Sequence, residues 1–283
     1  MDCTMTQLLK PAEIAMRSTP LCSRLTTGES MDRDGTASDI DWHLPEEVPV
    51  ALLLNSQPYT VMMATPTNLT DFGRGFVIGE GIVSSTADVR RVLVLPADTG
   101  STLSSGYAVD VAVDDAVLAR SRLAPRSMEG RSGCGLCGVT EISDVVRVPK
   151  QLRHHVRPTS QAILAAASAL PSNQPMNRLN RSVHAAAWVT LDGSIMVVRE
   201  DVGRHNALDK LIGALAKSDA DLASGFVLMT SRCSFELVQK AATFGIGALV
   251  TVSAPTALAL DIANASGLYL AAMGAGGVVV FNS

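Results

Sequence analysis

The chain has 283 residues, with 23 basic and 27 acidic side chains that give a formal net charge of −4 at pH 7. This balance argues against a general nucleic-acid-binding protein, because such proteins present a basic face. The five cysteines are an odd number in a long chain, which argues against a secreted disulfide scaffold. The N-terminus lacks a signal-sequence pattern, and glycine and proline interrupt the uncharged run 241–260. We therefore expect a cytoplasmic protein that neither spans nor binds a membrane.

The first half of the chain is predicted to be a small α+β region. Residues 1–45 are polar and irregular, which predicts a flexible N-terminal arm with an exposed thiol at Cys22. A helix with Thr67 or Asn68 as its N-cap is predicted to follow the second of the strands named next. Apolar and alternating runs predict four strands, at 48–54, 59–63, 92–95 and 107–113. We assign residues 46–145 to this N-terminal α+β region.

Two closely spaced cysteines are the first feature that carries chemistry. Cys134 and Cys137 are three positions apart and are flanked by glycines. Because glycine removes bulk and allows positive φ, both thiols can be exposed on a surface loop at 126–140. Such a pair can bind a metal, exchange between dithiol and disulfide, or carry sulfur as a persulfide. A short helix at 117–123 is predicted to lead into this loop.

Residues 146–283 are predicted to form an α/β region. Helices are predicted at 160–170, 206–217, 234–244 and 255–265. Strands are predicted at 183–190, 194–199, 226–230, 248–252, 268–272 and 278–281. A hairpin turn at Asp192-Gly193 joins the first two strands. The later alternation of strands and helices predicts parallel neighbours, and therefore a mostly parallel sheet.

Polar clusters follow three of these strands and open the next helices. They occupy 199–210, 231–236 and 253–256. Three helix N-termini side by side would suit an anionic ligand, because they offer unpaired N–H groups and positive dipole ends. Alternatively, Asp201, Arg204 and Asp209 pair with one another and only cap a helix; the spacing does not decide between these interpretations. Cys233 is predicted to be a small buried residue, and His184 a core histidine.

Together these segments resemble the formate dehydrogenase accessory sulfurtransferases, the FdhD family. The resemblance covers residues 48–283 and is carried by the cysteine pair and by the segments 201–210, 234–240 and 253–256. It implies that residues 146–283 form a three-layer domain similar in fold to cytidine deaminases. It also implies a homodimer.

The resemblance implies a sulfur carrier that acts through a cysteine persulfide. Family members take sulfur from a cysteine desulfurase and pass it to the molybdenum bis(molybdopterin guanine dinucleotide) cofactor before its insertion into formate dehydrogenase. By that resemblance Cys134 carries the persulfide and Cys137 assists. Arg204, His205 and Arg232 would bound the pocket for the nucleotide end of the cofactor. The cofactor is then a bound substrate, and no catalytic metal of the protein's own is expected.

The C-terminal turn departs from the family pattern. The family's cofactor-contacting loop corresponds here to Met273, Gly274, Ala275, Gly276, Gly277 and Val278. The family carries an aromatic residue, an arginine and a further basic residue where this chain has Met273, Ala275 and Val278. Alanine cannot make the charge-assisted bonds to phosphate that arginine makes. We therefore expect this turn to approach the cofactor through its backbone, which the glycines leave accessible.

Two other classes of protein were weighed against the sulfur carrier. A zinc deaminase needs a ligand-x-Glu helix start and a Pro-Cys-x-x-Cys second site. Here two alanines follow His184, and Gly133 precedes Cys134, so we do not expect catalytic zinc. The open alternative is a non-catalytic module of deaminase-like fold that escorts the molybdenum cofactor or binds zinc.

Overall fold

A computed structural model describes residues 22–100, 105–120, 146–218 and 220–282. Its strands are β1 (Ser23–Met31), β2 (Ala37–Pro45), β3 (Val48–Leu54), β4 (Gln57–Ala64), β5 (Val89–Ala97), β6 (Gly106–Val113), β7 (His184–Thr190), β8 (Ile195–Asp201), β9 (Gly225–Met229), β10 (Ala248–Thr251), β11 (Tyr269–Gly274) and β12 (Gly277–Val280). Its helices are α1 (Leu69–Gly79), α2 (Asp115–Arg120), α3 (Ser160–Ala169), α4 (Pro175–Asn180), α5 (Arg204–Lys217), α6 (Phe235–Phe244) and α7 (Ala257–Ser266). The predicted strands and helices are confirmed in the described ranges to within a few residues at their ends.

The described strands form three sheets, with the orders β1-β2, β4-β3-β6-β5 and β12-β11-β10-β9-β7-β8. In the six-stranded sheet the β9–β10 and β10–β11 pairs are parallel, whereas β7–β8, β7–β9 and β11–β12 are antiparallel. The predicted parallel pairing is confirmed for β9, β10 and β11, and so is the hairpin of β7 and β8, but the sheet as a whole is mixed and not mostly parallel. The reason is that tight turns at 191–194 and 275–276 join neighbouring strands directly, which requires antiparallel pairing.

The main hydrophobic core lies between the four-stranded and six-stranded sheets, where α1 packs against α5. The two helices approach closely at glycines. A Cβ on Gly75 would lie 1.7 Å from the carbonyl oxygen of Asp209, and one on Gly213 would lie 1.9 Å from that of Asp71. A side chain at either crossing point would push the helices apart, so glycine is required for this packing.

A second core lies on the opposite face of the six-stranded sheet. Ile163 and Ala166 of α3 pack there against Phe226 and Leu228 of β9, while Val227 of the same strand faces the main core. Both faces of β9 are therefore buried, which explains why its sequence is continuously apolar. The six-stranded sheet thus has helices on both faces.

The segment preceding β3 differs from the prediction. Residues 23–45 form the antiparallel hairpin β1–β2, so the expectation of an irregular arm is wrong there. The Asp32 carboxylate accepts the backbone N–H groups of Asp34 and Thr36 and shapes the turn, in which Gly35 has a φ of 81°. Both faces of the hairpin are largely exposed; β1 has no apolar alternation, and in β2 the alternation is limited to Ile40, Trp42 and Leu44. Cys22 is buried, not exposed as predicted.

Candidate functional site

The loops that follow four strands lie along one edge of the six-stranded sheet. Strands β9, β10 and β11 are parallel, and β8 points the same way because β7 is antiparallel to both β8 and β9. The second and third of these loops are bonded together. Cys233 N–H donates to the Ala254 carbonyl at 3.4 Å, and Thr256 N–H donates to the Cys233 carbonyl at 3.0 Å. The predicted polar clusters therefore share this carboxyl edge.

The carboxylate of Asp201 organises the first loop. It is fully buried and lies 2.6 Å from Nζ of Lys210, which is also fully buried. The carboxylate accepts the N–H groups of Thr65 and Gly203, at 3.0 and 2.8 Å, and the Asn206 amide at 2.9 Å. Burial lowers the pKa of Lys210, and the charge of Asp201 opposes that shift. These bonds attach the start of α5 to the segment that follows β4.

A second buried ion pair lies one residue earlier on α5. Nζ of Lys240 is 2.8 and 3.0 Å from the two carboxylate oxygens of Asp209, and 2.9 Å from Oε1 of Glu80. The same ammonium lies 5.1 Å from the ring centroid of Phe76. Burial raises the pKa of Asp209 to about 6, although the charge of Lys240 opposes this. Asp201 and Asp209 thus pair with separate lysines and not with each other, so these two acids are structural.

Arg204 and His205 begin α5 beside the second loop. Arg204 is half-buried, and its Nε has no hydrogen-bond partner among the described residues. His205 is buried, with Nε2 at 3.5 Å from Oγ of Ser234 and 3.8 Å from Oε2 of Glu236. Burial raises the pKa of Glu236, but hydrogen bonds from His205 and Ser234 outweigh it and lower the pKa overall. The edge therefore holds a cationic side chain beside a buried His–Glu pair.

His184 lies at this edge and not in the core. It is half-buried at the start of β7 and stands opposite Asp201 in the β-ladder. Burial lowers the pKa of His184, and the charges of Arg204 and His205 lower it further. The His184 imidazole is therefore neutral at pH 7 and can accept or donate one hydrogen bond.

Cys233 is fully buried, and the prediction that it is a small buried residue is confirmed. Burial raises the pKa of its thiol to about 12, and the nearby carboxylate of Glu236 adds to the shift. A thiol in this state is not a nucleophile at neutral pH. Cys233 therefore does not supply the reactive sulfur of this site.

The residues predicted to contact the cofactor are spread along the edge. Arg232 is exposed on the second loop, and the turn between β11 and β12 is exposed at 274–276. Met273, Gly277 and Val278 of that turn are half-buried. The carboxyl ends of β8 and β11 are four strand spacings apart, about 19 Å. Arg204 and His205 begin α5 beside the loop that follows β9, whereas residues 273–278 lie at the end of β11, two strands further along the edge.

Two clefts of the described structure lie away from these residues. One of about 350 Å³ is lined by residues that include Thr67, Met176 and Glu200. The other, of about 380 Å³, lies at the opposite edge of the sheet and is lined by residues that include Arg157 and Tyr269. Neither contains a residue predicted to contact the cofactor; those residues lie along the carboxyl edge, which we call the rim.

The predicted persulfide residues, Cys134 and Cys137, lie outside the described residues. Within those residues no group of three or more histidine, cysteine, aspartate or glutamate side chains could hold a metal ion. That search does not extend to the cysteine pair. In the same part of the chain, every helix is too short or too polar to cross a membrane.

Comparisons with known proteins agree in one family. The model of the FdhD/NarQ family matches residues 45–281. A protein named sulfur carrier protein FdhD from Xanthomonas euvesicatoria is 42% identical over 238 residues, which cover 84% of this chain and 83% of that protein. One of the same name from Cupriavidus necator is 43% identical, over 92% of this chain and 86% of its own. The solved structure of a formate dehydrogenase accessory protein from Desulfotalea psychrophila has a TM-score of 0.70 at 23% identity, and covers 93% of this chain and 97% of its own.

Proposed function

This chain belongs to the FdhD/NarQ family, and on that premise we propose that it is a sulfur carrier required by a formate dehydrogenase. The observation that carries the proposal is the match to relatives named sulfur carrier protein FdhD over most of both chains. We further propose that it is a cytoplasmic homodimer, that a cysteine desulfurase is the donor, and that residues 146–283 share the cytidine-deaminase fold.

The proposed chemistry is transfer of a sulfane sulfur between thiols. The Cys134 thiolate attacks the outer sulfur of the donor's persulfide, and the donor cysteine leaves as a thiol, so that no net oxidation occurs. Delivery of sulfide to the molybdenum cofactor needs two electrons. The thiol of Cys137 supplies them when it attacks the inner sulfur and forms a disulfide with Cys134. Arg126 and Arg131 are near these cysteines in sequence, and their charge favours the thiolate form.

We propose that the carboxyl edge of the six-stranded sheet binds the substrate cofactor. Arg204 supplies a half-buried guanidinium and Arg232 an exposed one, and guanidinium groups bind phosphate through paired hydrogen bonds. The rim from the end of β8 to the end of β11 is about 19 Å long, which suits an elongated dinucleotide better than a compact ligand. With alanine at position 275, backbone N–H groups replace the missing side-chain contact.

Sulfur loading tests the proposal directly. The protein is incubated with a cysteine desulfurase and cysteine, and its intact mass is measured with and without a reducing agent. We expect the mass of one added sulfur atom, lost on reduction, and no addition to Cys134→Ser. The control Cys3→Ser, which changes another cysteine, should load normally. Loading of Cys134→Ser at the wild-type level would refute the role of Cys134, and loss of client formate dehydrogenase activity should accompany the loss of sulfur.

Metal analysis separates the carrier from the alternative. A non-catalytic module that used these thiolates for zinc would need two more ligands, which a second copy could supply. One tightly held zinc per dimer in the reduced protein would favour that module. Reduced protein that loads sulfur without holding zinc would favour the carrier.

A further inference from the structure

Among the residues that the structure describes, the hairpin β1–β2 has little supporting surface. Its side chains are mostly exposed, and its packing beyond the hairpin is chiefly against α4. Ile40, Trp42 and Leu44 alternate along β2, so they share one face, and they are 39%, 37% and 40% exposed. A two-stranded hairpin alone is marginally stable in water and needs a further sheet or helix to cover its apolar side chains. We therefore expect another surface to cover the apolar face of this hairpin.

The outer face of the four-stranded sheet is also apolar and uncovered by the described residues. The strand pairing places Val61, Ala51, Ala108 and Leu95 side by side across all four strands, and we call such a row of paired residues a rank. Val61 and Leu95 are 45% and 48% exposed on the outer strands, whereas the two alanines form a low floor between them. Exposed apolar patches of this kind mark interaction sites on proteins.

The neighbouring ranks have the same character. Met63, which is 45% exposed, is opposite Pro49 in the next rank on one side. On the other side Leu53 and Leu93 flank Asp110, whose carboxylate already accepts the N–H and O–H groups of Ser56 at 2.9 and 2.7 Å. The only charge in these three ranks is thus already hydrogen-bonded, and Arg91, which is exposed on the same face, lies one rank beyond them.

The two surfaces match in size and shape. The exposed apolar side chains on β4 and β5, such as Val61 and Leu95, form two ridges along the face. These ridges are three strand spacings apart, about 14 Å, and a two-stranded hairpin is about 10 Å wide. A hairpin laid between the ridges would bring Trp42 over the floor of Ala51 and Ala108. Within one chain, β2 packs against α4 and joins β3 through Glu46 and Glu47 alone. This short junction places the hairpin beside the face and not on it, so a two-fold axis near the junction would put each hairpin on the other copy's sheet.

We propose that the hairpin of one copy docks on the outer face of the four-stranded sheet of a second copy, and the reverse. Each contact would cover about 300 Å² on each surface, so the reciprocal pair would bury on the order of 1,200 Å² in total, the lower limit of a specific interface. The arrangement rests on the homodimer proposed above but not on sulfur transfer. The proposal assigns the dimer interface of this chain to two surfaces, the hairpin β1–β2 and the outer face of the four-stranded sheet.

Oligomeric state tests this arrangement in the full-length protein. Sedimentation should show wild type at twice the chain mass of 29.7 kDa. Trp42→Glu removes the hairpin's apolar anchor, and Leu95→Glu places a charge on the sheet face. Each should weaken the dimer by about a hundredfold or more, because each change is repeated in both contacts. The control Met196→Glu changes a side chain that is 63% exposed on β8, outside both surfaces, and should leave the dimer intact.

Mixing the two variants distinguishes hairpin exchange from any other interface. A Leu95→Glu copy keeps an intact hairpin, and a Trp42→Glu copy keeps an intact face, so an equimolar mixture should regain one contact and form heterodimers. Monomeric wild type, or dimers of both variants as tight as wild type, would overturn the proposal. Should either variant fail to fold, Ile40→Lys and Leu93→Lys probe the same two surfaces. Sulfur loading of the same samples reports separately on the carrier function.

Discussion

Lys210→Met should be among the most damaging single changes to this protein. Lys210 is fully buried, and its Nζ lies 2.6 Å from Oδ2 of Asp201 and 2.9 Å from the carbonyl oxygen of Thr65. Methionine nearly matches the lysine in volume, so the change removes charge and hydrogen bonds without leaving a large cavity. The carboxylate of Asp201 then stays buried without a counter-charge.

The expected loss is about 3 kcal/mol of the free energy of unfolding. Removal of one partner of a buried pair costs about 3–5 kcal/mol. The lower end applies here, because Asp201 still accepts hydrogen bonds from Thr65, Gly203 and Asn206. The double variant Asp201→Asn/Lys210→Met no longer buries an unpaired charge, and it should recover about 1–2 kcal/mol of that loss.

Urea unfolding at pH 7, followed by circular dichroism, measures these differences. The matched control is Lys150→Met, which removes an exposed lysine and should change stability by less than about 0.5 kcal/mol. A loss in Lys210→Met no larger than in this control would refute the assignment of a stabilising buried pair. A double variant less stable than Lys210→Met would refute the reasoning about the stranded carboxylate.

Three further predictions concern the packing, the second ion pair and the rim. Gly213→Ala should cost about 1–3 kcal/mol despite the better helix propensity of alanine, because its Cβ would lie 1.9 Å from a carbonyl oxygen of α1; Gly276→Ala, with open space around its Cβ, is the control in the same urea assay. The pKa of Asp209 is about 6 in the folded state and 3.8 ordinarily. Between pH 4 and 6, therefore, the folded protein keeps this carboxyl protonated, whereas the unfolded chain has released the proton. Stability should therefore rise by about 1 kcal/mol per unit as the pH falls from 6 to 4 relative to Asp209→Asn, and parallel pH profiles would contradict this. Calorimetry should show that Ala275→Arg raises the affinity for guanosine diphosphate about ten- to a hundredfold. Arg204→Ala should lower this affinity and leave sulfur loading unchanged. Unchanged affinities in both variants would show that neither residue contacts the nucleotide.

Much of the local structure could be predicted from the sequence, because it depends on near neighbours. Thr159 caps α3 by accepting the Ala162 N–H at 3.1 Å, as its position before an alanine-rich run predicts. The hairpin β1–β2 was missed, since β1 has no apolar period and the alternation in β2 is limited to Ile40, Trp42 and Leu44. The mixed sheet was missed because periodicity reports burial and not strand direction.

The partners of the charged residues could not be predicted, because they are distant along the chain. Lys240 pairs with Glu80 and Asp209, and neither spacing forms a local pattern. Arg199 binds Asp71 at 2.8 Å across 128 positions, which joins β8 to α1. A signal in the sequence was available only for Asp201 and Asp209, because they follow a predicted strand. That position indicated a polar edge of the sheet, but it did not indicate which lysine each carboxylate would bind.

The sequence by itself determined most of the strands and helices from β3 onward, the cysteine pair and the family. These follow from residue spacing and from motifs that are contiguous in the chain, such as 201–210. Only the tertiary structure decided that Asp201 and Asp209 serve the scaffold while Arg204 is left beside the rim. The physical reason is burial: a carboxylate removed from water needs a cation close to it in the fold, and Lys210 of α5 and Lys240 of α6 supply it.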